Sequence, residues 1–204
     1  MNFGAVILAG GKSSRMGRDK ARLEIGGQPL LARQIQLVRG VGAGEIFISG
    51  RAGRDYSEFG CPVLYDRFAD AGPLAGIERA LAEISRLRLL VVAVDMPDLT
   101  SAILRRLVEH DEKAKGVIPR IGGRIEPLAA IYPKSALAAA TLLLGNGIYA
   151  AKSFADHCVQ AGLAEFCDFD TRATRHFASW NRPSDVAREK GPDMRAHSRV
   201  AVIR

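Results

Sequence analysis

Five residues of this chain have types and spacings suited to holding a polyphosphate. Gly10 and Gly11 end the apolar run "AVILA", Arg15 and Lys20 follow within ten residues, and Asp95 closes "LLVVAVD". Glycines leave backbone amides open to a ligand's close approach. Cations neutralise phosphate oxygens, and a carboxylate can share Mg²⁺ with them. The pattern points to chemistry on a nucleotide. It is neither of the two common phosphate loops. A Walker A motif would need glycine where Val6 stands, and the G-x-G-x-x-G spacing is missing.

The carboxylates need sorting by position. Asp95 lies at the end of the most hydrophobic segment, and Met96-Pro97 then stops it abruptly. It would either bind metal or cap the next helix. Asp98 is nearer that helix and reads as the cap, which leaves Asp95 as the metal ligand. Asp66 ends "VLYD" in a similar position, where it could orient a nucleotide or serve only the turn. Asp70 suits entry into the following helix. The four histidines show no metal spacing, and His110 sits where a helix ends, so none is assigned to catalysis.

These residues need a scaffold that brings strand ends together. Short apolar runs alternate with helical patterns, which predicts an α/β protein: three layers, doubly wound, with a mostly parallel sheet. Strands are expected at Phe3–Ala9, "EIFISG", "VLYD", "LRLLVVAVD", "GVIP", "EPLAAIY", "EFCDFD" and "FASW". Helices are expected at "PLLARQIQLVRG", "GPLAGIERALAEIS", "TSAILRRLVEH" (capped by Thr100 or Ser101), "KSALAAATLLLG", "IYAAKSFADHCVQAG" and "PSDVAREK". Residues 1–190 would form one domain, and 191–204 a flexible basic tail.

The 204 residues are 48% hydrophobic and 25% charged, with no apolar run long enough to cross a membrane. Cys61, Cys158 and Cys167 are odd in number and lack C-x-x-C spacing, so they read as reduced thiols. The opening residues carry no basic leader, which argues for a cytoplasmic protein. The net charge of +7 is scattered, and no nucleic-acid motif accompanies it. A monomer is the default. Trp180 reads as a core residue.

The stretch "LAGGKSSRMGRDKA" resembles the signature L-A-G-G-x-S-x-R-M-G-x-D-K of molybdenum cofactor guanylyltransferases. The similarity continues through "GGQPLL", "DRFADAGPLAGI", "VAVDMPDL" and "RIEPLAAIY" to "FASWNRPSDV". The resemblance implies a Rossmann-like nucleotidyltransferase fold. It implies transfer of GMP from GTP to molybdopterin cofactor with Mg²⁺, yielding the guanine dinucleotide form and pyrophosphate. It also suggests hand-over to molybdenum-cofactor maturation proteins or apo-molybdoenzymes.

By the same analogy Leu8, Ala9 and Gly10 contact the nucleotide, while Gly11 and Arg15 line its phosphates. Lys20, Asp66 and Asp95 fall on nucleotide-contacting positions, and Asp95 also touches Mg²⁺. Arg15, Lys20 and Asp95 carry the catalytic load. Two departures stand out. Ser49 replaces an asparagine expected at a base-contacting position. In the family's N-x-N-T-P pattern only Asn181 and Pro183 survive, so Asn181 is the pterin-side candidate. The rivals are a cytidylyltransferase, which would open L-A-A-G, a sugar-1-phosphate enzyme, and a non-catalytic nucleotide-binding protein.

Overall fold

The computed structural model describes residues 3–11, 19–68, 70–110, 115–180 and 185. Arg15, Asn181, the expected closing helix apart from Asp185, and the expected tail all fall outside those residues.

The first strand, β1 (Phe3–Leu8), is buried along its whole length. It runs parallel to β4 (Ile46–Gly50) on one side and to β6 (Arg88–Ala93) on the other. Beyond β4 lies β5 (Val63–Tyr65), also parallel. Beyond β6 lies β9 (Ala129–Pro133), antiparallel. The sheet is completed by β7 (Gly116–Ile121), its hairpin partner β8 (Arg124–Ile125), and β10 (Ala164–Phe169). The order is β10-β7-β9-β6-β1-β4-β5, with β8 on β7.

Burial on both faces explains why β1 and β6 read as continuous apolar runs rather than alternating ones. Alternate side chains sort into two cores. Ala5, Ile7, Leu90 and Val92 pack under α1 (Leu30–Gly40) and α3 (Ser101–His110). Val6, Leu8, Leu89 and Val91 pack under α2 (Gly72–Glu83), α4 (Leu137–Gly145) and α5 (Ala151–Gln160). The result is the three-layer, mixed but mostly parallel sheet expected from the sequence. The chain leaves β1 between neighbours to which it connects in opposite directions, so a crevice opens at its carboxyl end.

Two local expectations are corrected, and one unexpected element is present. "FASW" is not a strand: Phe177 closes a 3₁₀ stretch, Thr171–Phe177. There the Asp170 carboxylate accepts from the Arg172 N–H at 2.8 Å, and the Thr174 hydroxyl donates to the Thr171 carbonyl at 2.6 Å. These short-range bonds curl the chain before it can pair. Phe177 still reaches the core, edge-on to Phe169 at 5.5 Å.

Asp98 does not cap α3. Thr100 does, accepting the Ile103 N–H at 3.4 Å, while Asp98 is exposed and offers its carbonyl to His176 at 2.9 Å.

A two-stranded ribbon, β2 (Glu24–Ile25) with β3 (Gln28–Pro29), also precedes α1 without having been expected. Its turn is Gly26-Gly27, with φ of 57° and 77°, a conformation glycine adopts without a Cβ penalty.

Candidate active site

The crevice floor is made by β1 and the backbone beyond it. Leu8 lies opposite Ser49 and Ala93 in register. The Ala9 N–H then donates to the Ser49 carbonyl at 2.9 Å, and Val94 N–H donates to the Leu8 carbonyl at 3.2 Å. The chain is thus stitched to both neighbouring strands up to the point where Gly10 and Gly11 emerge. Gly10 is half-buried and Gly11 exposed. A Cβ on Gly11 would meet nothing within 4 Å, so its backbone faces open space.

Asp95 stands two residues past β6, on the other wall. Its carbonyl accepts the Trp180 N–H at 2.8 Å, and Ala93 N–H donates to Leu128 at 2.8 Å. The Met96 carbonyl accepts from the buried Gln34 amide at 2.7 Å. Trp180 packs against the α1/α3 core, as expected of a core residue.

Lys20 reaches this wall from the opposite bank. Its ammonium lies 2.8 Å from Asp95 Oδ2, and both side chains are largely shielded from solvent. Among the described residues Asp95 Oδ1 has no hydrogen-bond partner. Lys20 begins a 3₁₀ turn, Lys20–Arg22, which Asp19 caps by accepting the Ala21 N–H at 3.0 Å.

On the far side of β1 the site continues across β4 and β5. Ser49 is buried, and its hydroxyl neighbours the Asp66 carboxyl. Gly76 of α2 packs directly on it: a Cβ there would fall 2.3 Å from Ser49 Oγ and 3.0 Å from Leu8 Cδ2. Although Asp66 is open to solvent as a residue, its carboxyl is crowded by protein. That burial pushes its pKa up to about 6, the neighbouring Ser49 hydroxyl opposing the rise and the charge of Glu78 adding to it. Glu78 is itself buried, ion-paired with Arg67 and bonded by the Thr141 hydroxyl at 3.1 Å. Asp70, with φ 54°, takes the left-handed turn that leads into α2.

Lys20 and Asp95 are therefore brought into contact, with Leu8 to Gly11 beside them and Ser49 and Asp66 along the same row of strand ends. From Asp95 to Asp66 is three strand spacings, or about 14 Å, the length scale of a nucleotide. Asp19, Tyr56 and Glu78 were not singled out from the sequence. Their partners come from distant elements, so local spacing carries no signal of them.

Among the described residues no cluster of three or more His, Cys, Asp or Glu could hold a metal. The cysteines are free, and burial pushes the Cys158 thiol up to about 12. No described helix is long and apolar enough to cross a membrane.

Residues 5–160 match the family model described as "MobA-like NTP transferase domain". The chain belongs to this family. A relative in Opitutus terrae named "Probable molybdenum cofactor guanylyltransferase" is 38% identical over 187 residues, 90% of this chain and 93% of the relative. The "Molybdenum cofactor guanylyltransferase" of Syntrophotalea carbinolica is 32% identical, covering 97% of both chains.

Among solved structures, the "Molybdopterin-guanine dinucleotide biosynthesis protein A" of Archaeoglobus fulgidus superposes with a TM-score of 0.72 at 22% identity. That match covers 91% of this chain and 96% of that one. A nucleotidyl transferase from Methanothermobacter superposes with a TM-score of 0.74 at 18% identity, over 91% and 94%. Both likenesses support the MobA-like fold.

Proposed function

We propose that this MobA-like chain transfers GMP from GTP to the terminal phosphate of the molybdenum–molybdopterin cofactor, releasing pyrophosphate. The carrying observation is the Lys20–Asp95 contact beside Gly10 and the open backbone of Gly11. The relatives named as molybdenum cofactor guanylyltransferases supply the substrate pair.

In the transfer, an oxygen of the cofactor's phosphate forms a bond to the α-phosphorus of GTP. The bond from that phosphorus to the β-phosphate bridging oxygen breaks, and pyrophosphate leaves with the electron pair. The attacking phosphate is already ionised at neutral pH, so the site needs no strong base. What the chain supplies is position and charge. The Gly10 and Gly11 backbone holds the triphosphate. Lys20 offsets charge on the phosphate oxygens, as Arg15 does by its place in the motif. Ser49 and Asp66 flank the nucleoside end, with Asn181 assigned to the pterin side.

Mg²⁺ fits the donors present. One protein carboxylate with an unbonded oxygen suits an ion that keeps water ligands and arrives with the nucleotide, rather than one caged by protein. Asp95 would hold it, and the ion would supply charge neutralisation at the phosphates. The protein would work as a monomer in the cytoplasm.

The test is transfer of label from [α-³²P]GTP onto molybdopterin cofactor, with [α-³²P]CTP as comparison. Labelled guanine dinucleotide, made faster than its cytosine counterpart, is the expected result. A preference for CTP would reassign the chain to cytidylyl transfer.

A further inference from the structure

Lys20 is the last residue of the signature pattern, and its ammonium must cross the crevice to meet Asp95. A lysine side chain has several rotatable bonds, so its reach is only as well defined as its backbone. Besides the packing of Ala21 in the core, three polar contacts from one segment, residues 51–60 between β4 and β5, hold the turn that carries it. The Tyr56 hydroxyl donates to Asp19 Oδ2 at 2.9 Å, while Asp19 Oδ1 takes the Ala21 N–H. Arg22 donates to the Asp55 carbonyl at 2.7 Å and pairs with Glu58 at 2.6 Å.

Of these, Tyr56 is the buried one, 1% exposed. Its ring is seated from two sides. Phe59 lies at a centroid distance of 6.4 Å, and Gly50 presses so closely that a Cβ there would lie 3.2 Å from the ring. Gly50 ends β4 beside Ser49, on the crevice floor. Contact therefore runs from Gly50 through Tyr56, Asp19 and Lys20 to Asp95.

We propose that Tyr56 is a positioning residue for nucleotidyl transfer, holding the Asp19 carboxylate so that Lys20 is presented to Asp95 and the phosphates. The hydroxyl touches no reacting atom and acts only through Lys20. The phenol is buried, so removing its hydroxyl takes a fixed donor away from Asp19 Oδ2. The proposal rests on the role given to Lys20 above.

The test is a double-mutant cycle on the full chain, with GTP and molybdopterin cofactor as substrates. Tyr56→Phe keeps the ring and removes the hydroxyl. It is expected to lower kcat about tenfold, the size of losing a hydrogen bond to a charged group, with KM for GTP within about twofold. In a Lys20→Ala background the same change is expected to alter kcat less than about twofold, because its route of action is gone. An equal fractional loss in both backgrounds would mark Tyr56 as merely structural and overturn the proposal.

Wild-type kcat in Tyr56→Phe, with Lys20→Ala crippled, would overturn it and leave the role of Lys20 standing. Wild-type kcat in Lys20→Ala would remove both. Asp19→Asn, which keeps one acceptor oxygen where Asp19→Ala keeps none, is expected to retain more of the rate than Asp19→Ala; equal losses in the two would count against the proposal. Circular dichroism and Tm of each variant establish that the folded protein is being assayed.

Discussion

Lys20 and Asp95 are 75 positions apart in the chain and 2.8 Å apart in the fold, across the crevice at the end of β1. The cation and the carboxylate thus neutralise each other at the point where the triphosphate and its metal are proposed to bind. Removing a preorganised charge of this kind typically costs about 10²- to 10³-fold in rate. Lys20→Ala and Asp95→Ala are each expected to lose at least that much in kcat/KM while retaining a cooperative melt. The pair is largely but not wholly shielded, so the change in Tm should stay small beside the change in rate. Steady-state transfer assays on both folded variants check this.

Asp66 sets a pH dependence with a definite sign. Its carboxyl is raised from 3.8 to about 6 in the folded protein, so folding favours the protonated form. The stability this contributes is present below about pH 4 and is lost as pH rises through about 6. Asp66→Asn should therefore melt higher than wild type at pH 7.5, and the gap should close towards pH 4. Thermal melts at a series of pH values would show whether it does.

Binding should run the other way. If the carboxylate form serves the nucleotide, KM for GTP rises as pH falls from 7 to 5. GTP's own phosphates titrate in that range, so the comparison with Asp66→Asn isolates the residue, and the asparagine variant should show the shallower rise. Glu78→Gln removes a neighbouring negative charge and should move the wild-type midpoint lower.

How much of this could be read from sequence follows from the range of each interaction. β1 and β6 were legible because strands buried on both faces must be apolar throughout, a demand met residue by residue. The placing of Asp95 and Asp66 at strand ends followed from where those runs stop. "FASW" misled because Phe177 does reach the core and Trp180 packs against it, but from the end of a 3₁₀ curl set by Asp170 and Thr174 and from the residues just after it. The Gly26-Gly27 turn carried a two-residue hairpin signal that could have revealed β2 and β3. The Tyr56–Asp19 and Arg67–Glu78 contacts join elements whose mutual placement only the folded sheet defines, so no spacing rule reaches them.

The glycines divide into two kinds with opposite expected phenotypes. Gly76 is a close-approach residue, and alanine there would drive a methyl into Ser49 and Leu8. Overpacking of this sort costs about 1–3 kcal/mol, or roughly 3–10 °C of Tm for a domain of this size. Gly11 has open space where a Cβ would project, so Gly11→Ala should stay within about 0.5 kcal/mol of wild type. Its methyl would instead intrude where the triphosphate is proposed to lie and raise KM for GTP. Melting curves and GTP kinetics on the two variants should separate cleanly: one loses stability, the other substrate.

Nucleotide preference can be measured without the pterin substrate. A ligand at about 100 times its Kd stabilises the folded state by roughly 2.7 kcal/mol, which is about 5–10 °C of Tm here. GTP with Mg²⁺ is expected to produce a shift of that order, and CTP with Mg²⁺ a clearly smaller one. Ser49 bears on the margin between them. Its hydroxyl is buried against Asp66 and Gly76, so discrimination of the base would fall chiefly to backbone groups and to Asp66. Ser49→Ala should therefore reduce the GTP shift mainly by freeing the Asp66 carboxyl, and Asp66→Asn should leave little for Ser49→Ala to add. A full GTP shift in Asp66→Asn would remove Asp66 from the nucleotide site, whereas a CTP shift exceeding that of GTP would reverse the assignment of the substrate.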